Sequence, residues 1–249
     1  PATTGWYVSR ASYLLAIGRP AAQVALYHPT DSEWLGDQGS DSVTVSLTQQ
    51  LMEHQIDFDY IDYDSFASLF TFEGGGIRNL SGQLYRAIII PSSTVIQKAM
   101  LERLRAFAKA GGKVLFVGRT PSMVIDRTFL NPEGAPDLSF ATIEPTPDIT
   151  PRVVAALPKP DVKFEVACSS VKYLHRSLKD GEIYFFFNES DKPQSDNALL
   201  SGNGHVQVWD ASTGKISPMK GARAGRGTVS INLVLEPFES KFIVIGPGI

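Results

Sequence analysis

The sequence predicts an α/β domain followed by an all-β one: a flavodoxin-like open parallel sheet, then a small antiparallel β-sandwich. Three observations carry that expectation. Short apolar runs near residues 22–27, 56–61, 87–90 and 113–117 alternate with helical patterns, as in a doubly wound sheet. The stretch Tyr85–Gly118 alone spells strand, turn, helix, turn and strand. Beyond Pro158 and Pro160 the helical period gives way to short strands divided by turn residues.

Taken in order, Trp6–Ile17 has a helical pattern, with Tyr7, Ala11, Leu14 and Leu15 able to share a face and Gly18 and Pro20 closing it. So apolar a helix needs a surface to cover, either the sheet that follows or a preceding domain. Ala22–Tyr27 is a first strand and His28–Asp41 a polar loop at its carboxyl end. Val43–His54 reads as a helix on Val43, Leu47, Leu51 and Met52, and Ile56–Ile61 as a strand. Asp64 or Ser65 is expected to cap a short helix through Phe70, with a loop or small hairpin over Gly74–Gly82. Ala87–Ile90 is an unbroken apolar run suited to a strand buried on both faces. Ser93 or Thr94 is positioned to cap a helix whose Ile96, Met100, Leu104 and Phe107 form one face, opposite Lys98, Glu102, Arg105 and Lys109. Gly111 and Gly112 end that helix, and Lys113–Val117 follows as a strand. Residues 119–149 are expected to be irregular, as a lid, a cover or a connector. Thr150 then caps a short helix with Pro151 at its first position. Expected strands in the second half are Val162–Cys168, Val171–Ser177, Glu182–Asn188, Ala198–Ser201, Val206–Asp210, Thr228–Leu235 and Lys241–Ile245. The expected division is residues 1–19 as a terminal helix or linker, 20–158 as the α/β domain and 159–249 as the sandwich.

Composition narrows function only by exclusion. The 249 residues are 43% hydrophobic and 20% charged with net charge −3, so no global field favours nucleic acid or an anionic membrane. No apolar run approaches the ~20 residues that span a bilayer. Cys168 is the single cysteine, which rules out an internal disulfide. A chain that starts at Pro1 rather than Met is expected to be trimmed or excised from something longer.

Ligands of open α/β sheets bind beyond the carboxyl ends of the strands. Gly74-Gly75-Gly76 lacks the Lys and Ser/Thr of a phosphate loop and reads as a plain turn. Gly118-Arg119-Thr120-Pro121-Ser122 offers Arg119 and Thr120 where an elbow enzyme would hold Ser or Cys, and Thr120 has no histidine near it in sequence. His28, Asp31, Glu33 and Trp34 combine an imidazole, two carboxylates and an indole at a strand end. Such a set suits sugar hydroxyls and sugar faces, but reads first as a surface loop whose Trp packs on a neighbouring domain. His54, His175 and His205 show no metal spacing. Asp57, Asp59, Asp62 and Asp64 lack the calcium-loop pattern, with Asp57 and Asp59 on one strand face.

Several stretches in this order carry a resemblance: Ser9-Arg10-Ala11-Ser12-Tyr13-Leu14-Leu15, Ala25-Leu26-Tyr27-His28-Pro29, the Tyr85–Gly118 unit, Tyr184–Ser190 and Val208-Trp209-Asp210-Ala211-Ser212-Thr213-Gly214. The chain resembles the C-terminal portion of glycoside hydrolase family 106, the α-L-rhamnosidase-type enzymes. The closing Leu235–Phe242 is similar to the last corner of sandwiches that end many glycosidases. The resemblance implies an amidotransferase-like α/β domain without its nucleophile, and no cysteine precedes Cys168. It also implies a catalytic (β/α)8 barrel preceding this region, in which two carboxylates act by inversion and calcium assists sugar binding. It therefore implies a secreted parent acting on rhamnose-containing glycans, with no catalytic residue, metal or cofactor in this chain and that barrel as partner. Two other readings stay open: a stand-alone carbohydrate-binding or interaction module, and an independent hydrolase using Thr120 or Cys168.

Overall fold

The computed structural model describes residues 2–247, and it divides into two compact units. One comprises residues 22–51 and 58–159; the other comprises residues up to 21, 52–57 and the chain from Pro160.

The first unit is built on a parallel sheet ordered Thr142–Glu144, Lys113–Val117, Ala87–Pro91, Val24–Tyr27, Phe58–Ile61. Its central strands are apolar throughout because both faces are covered. Ala25, Tyr27, Ile88, Ile90 and Phe116 share a core with Met100, Leu104 and Phe107 of the helix Lys98–Lys109. The intervening Leu26, Ile89, Leu115 and Val117 are fully buried as well. The helix Gln38–Glu53 turns Thr44, Leu47 and Leu51 inward and leaves Met52 outside, so Met52 is not part of its buried face. Thr150 caps the helix Pro151–Ala156 by accepting from the Val153 N–H at 3.3 Å.

Four local expectations are corrected. Val95–Gln97 is a strand, parallel to Met123–Asp126, and the helix begins only at Lys98. Neither Ser93 nor Thr94 caps it: Gln97 occupies the cap position, and the Thr94 hydroxyl donates elsewhere. The segment Asp64–Phe70 is a π-helical turn over Ser65–Leu69, with the Ser65 N–H held by Asp62. Residues 119–149 are not wholly irregular, because Met123–Asp126, Thr128–Glu133 and Thr142–Glu144 are strands. Thr128–Glu133 is exposed along its length, so no buried face leaves an alternating mark on its sequence. The glycine run is the turn of a hairpin joining Thr71–Glu73 to Gly76–Arg78, with Gly74 and Gly75 at positive φ.

The second unit contains two antiparallel sheets around one core. Six strands run in the order Arg19–Pro20, Val171–Ser177, Glu182–Asn188, Ser240–Gly246, His205–Trp209, Ile216–Pro218. Four more run Val162–Phe164, Gln194–Ser201, Thr228–Leu235, Arg223–Ala224. Tyr184, Phe186, Ile243 and Ile245 of the first sheet meet Leu200, Val229, Ile231 and Leu233 of the second. Alternation sends the intervening Ile183, Phe242 and Val244 to the opposite face, where Ala11 and Leu14 of the helix Ala2–Ala16 cover them. The first helix therefore finds its surface on this antiparallel sheet. Asn188, fully buried, donates to the carbonyls of Lys192 and Glu236 and accepts from Ser190, fastening two turns at one end of the sheets.

Candidate functional site

The parallel sheet reverses its winding between Val24–Tyr27 and Ala87–Pro91, so the loops after Tyr27, Pro91 and Val117 emerge together at the carboxyl edge. This is where a ligand of such a sheet is expected, and a polar cluster sits there.

The stretch His28–Asp41 is not a plain loop. Thr30–Trp34 forms a short helix, and Gln38 opens the next one. The four residues singled out at this strand end are split by that turn. His28 and Glu33 approach each other, with Nε2 3.7 Å from Oε1, while His28 Nδ1 contacts the Thr30 hydroxyl at 3.1 Å. Asp31 faces another way and accepts from Gln97 Nε2 at 3.2 Å. Burial raises the pKa of Asp31; the Gln97 bond opposes this, and Asp64 adds to it. Trp34 points outward and is 76% exposed. One Glu33 oxygen and the Ser93 hydroxyl are buried without a hydrogen-bond partner.

The firmest part of the edge centres on Asp37, which was not singled out from sequence. Asp37 accepts from the Thr94 hydroxyl at 2.5 Å, from the Ser40 hydroxyl at 2.8 Å and from the Arg119 guanidinium. Burial works against its charge, but those three donors outweigh it and hold the pKa down to about 2. The buried Ser32 hydroxyl receives the Thr94 N–H at 3.0 Å, tying the Thr30–Trp34 turn to the Val95–Gln97 strand. Ser92 accepts the Arg119 N–H at 2.9 Å, and Gly118 has φ +88° with room for no Cβ beside the Ser92 hydroxyl. The signal for this cluster lay in the strand-end rule, which selects Ser92–Thr94 and Arg119. Their convergence on Asp37 depends on tertiary folding.

Chemically, the Asp37 cluster is a set of satisfied acceptors and donors, beside which one Glu33 oxygen and the Ser93 hydroxyl stay unpartnered. Asp37→Ala is expected to lower the stability of this unit by about 1–3 kcal/mol, since it strands three donors. The carboxylate's pKa is lowered by folding, so its contribution is present above the ordinary carboxylate range and lost as pH falls through about 2. Urea denaturation at neutral and acid pH, followed by hydrogen exchange in peptides of this unit, checks both expectations.

The remaining sequence candidates lie apart. Thr120 follows the Gly118 turn in this unit. Cys168 belongs to the other unit, where its thiol contacts Gln194 Oε1 at 3.4 Å and its carbonyl accepts from Gln55. Asp57 accepts from the His175 N–H, whereas Asp59 accepts from the Gln83 amide and the Tyr85 hydroxyl, so the two aspartates serve different partners. His175, on the strand Val171–Ser177, lies between Asp161, at 3.0 Å, and Glu182, at 2.9 Å. Among the described residues no group of three His, Cys, Asp or Glu is placed to hold a metal ion, and no helix is long and apolar enough to cross a membrane.

A family model described as alpha-L-rhamnosidase matches residues 3–222. The chain belongs to glycoside hydrolase family 106. Solved structures similar to this family 106 chain extend the picture at the level of fold. A rhamnosidase from Novosphingobium sp. PP1Y superposes with a TM-score of 0.73 at 24% identity, covering 99% of this chain and 24% of its own. Alpha-L-fucosidase isoenzyme 2 from Paenibacillus thiaminolyticus gives 0.63 at 16% identity, over 97% of this chain and 51% of its own. A beta-galactosidase from Bacillus circulans sp. alkalophilus gives 0.60 at 12% identity, over 96% and 44%. The family 106 chain thus spans about a quarter of the rhamnosidase and about half of the fucosidase. No curated protein matched it.

Proposed function

We propose that this chain is a non-catalytic C-terminal region of an α-L-rhamnosidase-type glycoside hydrolase, which buttresses a catalytic barrel of the same polypeptide. The observation that carries the reading is one of coverage: almost the whole chain superposes on parts of glycosidases named for three different sugars, yet it fills only 24–51% of them. A portion common to enzymes of different sugar preference suits a supporting role better than the choice of substrate. In this reading residues 20–158 are a flavodoxin-like, amidotransferase-like domain, for which the 2-1-3-4-5 order of the parallel strands speaks. Residues 159–249 are a β-sandwich, and residues 1–19 lead in from the barrel. The paired carboxylates that act on the rhamnose-containing glycan, and any calcium, belong to the barrel of a secreted parent. The exposed Trp34, with His28, Asp31 and Glu33, is the part of this chain that would reach toward the barrel's sugar site.

The strand-end cluster supports the same view. Asp37 is already engaged by three donors, and the imidazole at that edge, His28, contacts the Thr30 hydroxyl and Glu33 rather than Thr120, the hydroxyl an elbow enzyme would use. The test is an assay of the purified chain with an aryl α-L-rhamnopyranoside. No turnover above buffer is expected. Turnover that disappears in a Thr120→Ala, Cys168→Ser double variant would overturn the proposal in favour of an independent hydrolase.

A further inference from the structure

Two of the family-resembling stretches, about 200 residues apart, line a single cavity in the two-sheet unit. Ser9, Arg10, Tyr13 and Leu14 of the first helix form one wall, and the segment Trp209–Ile216 forms the other. The cavity measures about 410 Å3, within the ~300–1,000 Å3 of small-molecule sites.

Its walls are apolar and its rim is charged. Tyr13 is 64% exposed, Ile216 is exposed too, and Trp209 is half-buried with its indole N–H fixed on Gln207 Oε1 at 3.1 Å. Exposed aromatic rings fixed by a rigid backbone offer flat apolar surfaces at low entropic cost. Arg10 is pinned across the turn: its Nη1 donates to the carbonyls of Ala211 and Ser212, both at 3.0 Å, and a Cβ at Gly214 would press on the guanidinium at 3.0 Å. Two of its five N–H groups lie on that nitrogen, so three face elsewhere. Asp210 accepts from the Ser212 and Thr213 amides and from the Thr213 hydroxyl at 2.6 Å, leaving one of its roughly four lone-pair directions open. Lys215 adds an exposed ammonium at the same rim.

The rim thus places fixed donors beside a fixed acceptor, over apolar walls. A phosphate or carboxylate ligand would meet Asp210, and a lipid chain would leave the rim charges unmatched. A pyranose fits both features: its C–H face stacks on an aromatic ring, and a vicinal diol donates to Asp210 while accepting from Arg10 or Lys215. A second cavity, of about 790 Å3, shares Asp210 with the first and is lined also by Tyr7, Phe185, Phe187 and Phe238. Tyr7 and Tyr13 lie six positions, or about 9 Å, apart along the helix, on either side of Arg10.

We propose that this face of the two-sheet unit binds a neutral oligosaccharide, with one sugar in each cavity, and that the apolar wall of Tyr13, Leu14 and Ile216 takes the methyl group of a 6-deoxyhexose. The choice of deoxysugar rests on membership of the rhamnosidase family; the site itself requires neither a barrel nor hydrolysis. Calorimetric titration of the whole 249-residue chain with methyl α-L-rhamnopyranoside and with a rhamnose-containing oligosaccharide tests it, independently of any turnover. Binding of the monosaccharide near 1 mM, and tighter binding of the oligosaccharide, are expected. Tyr13→Ala and Lys215→Ala should each weaken binding roughly tenfold. Both side chains are exposed, so circular dichroism should show unchanged folding in the variants. Leu130→Ala, an exposed change in the other unit, should leave the affinity as it was. Methyl α-L-mannopyranoside, which differs from the rhamnoside only by a hydroxyl in place of one methyl hydrogen, should bind more weakly. The proposal is overturned if neither rhamnoside produces heat, if the Tyr13→Ala, Lys215→Ala double variant binds as the parent does, or if Trp34→Ala rather than Tyr13→Ala abolishes binding.

Discussion

Replacing His175 with phenylalanine should destabilise the two-sheet unit by about 3–5 kcal/mol at neutral pH. The ring of His175 is buried and stacked on Tyr184, with centroids 4.0 Å apart and planes inclined by 13°. Each of its nitrogens meets a carboxylate, Asp161 on one side and Glu182 on the other. Phenylalanine keeps the stacking and removes both ion pairs, leaving two carboxylates facing each other across an apolar ring. The pH dependence should change with it. Burial works against the imidazolium, but hydrogen bonds and attraction from Asp161 and Glu182 prevail and push its pKa up to about 9. Since folding raises this pKa, the stabilisation is fully present below the ordinary histidine value near 6.5. It drains away as pH climbs through about 9, by an amount on the order of 3 kcal/mol. Urea midpoints measured between pH 6 and 10, with exchange read in peptides around Glu182–Asn188, should show that slope in the parent and not in His175→Phe. An unchanged slope in the variant would assign the titration to another group.

The second large effect is expected in the parallel-sheet unit. Phe107 is fully buried on the helix Lys98–Lys109 and lies over Gly112, where an added Cβ would come 2.3 Å from the ring. Phe107→Ala removes a whole ring from a core that cannot fully collapse, at about 3–5 kcal/mol. Gly112→Ala overfills the same contact, at about 1–3 kcal/mol. Adding Phe107→Leu to Gly112→Ala should cost less than the two single losses together, because the smaller side chain makes space for the methyl group. Hydrogen exchange in urea for this unit's peptides measures these variants and Phe107→Leu alone. Strict additivity would mean that the methyl meets something other than the ring.

Legibility in the sequence followed burial. Val171–Ser177, Glu182–Asn188 and Thr228–Leu235 are seen at the bounds expected, and in Thr228–Leu235 one buried face and one wet face write alternation into the chain. Thr150 and Pro151 were readable because a cap and a missing N–H are local chemistry. Val95–Gln97 was not: Ile96 and Met100 stand four apart, and helical spacing cannot reveal that Ile96 pairs with Val124 in a strand. Trp34 and His28 were visible as residue types, but their separation depends on the Thr30–Trp34 turn. The same holds for Arg10 and Asp210, whose meeting is set by the fold.

The Tyr7 hydroxyl bonds the Ser240 hydroxyl at 2.6 Å, across 233 residues. A helix is thus held by a strand made more than 200 residues after it. During synthesis Ala11 and Leu14 must wait, uncovered, until Phe242 and Val244 have left the ribosome. The parallel-sheet unit ends at Lys159 and has no such wait. It should be able to complete its core while the two-sheet unit is still partly unmade, and closing the longer loop should set the pace of maturation. The apolar face of the helix is then the part of the nascent chain most in need of a chaperone.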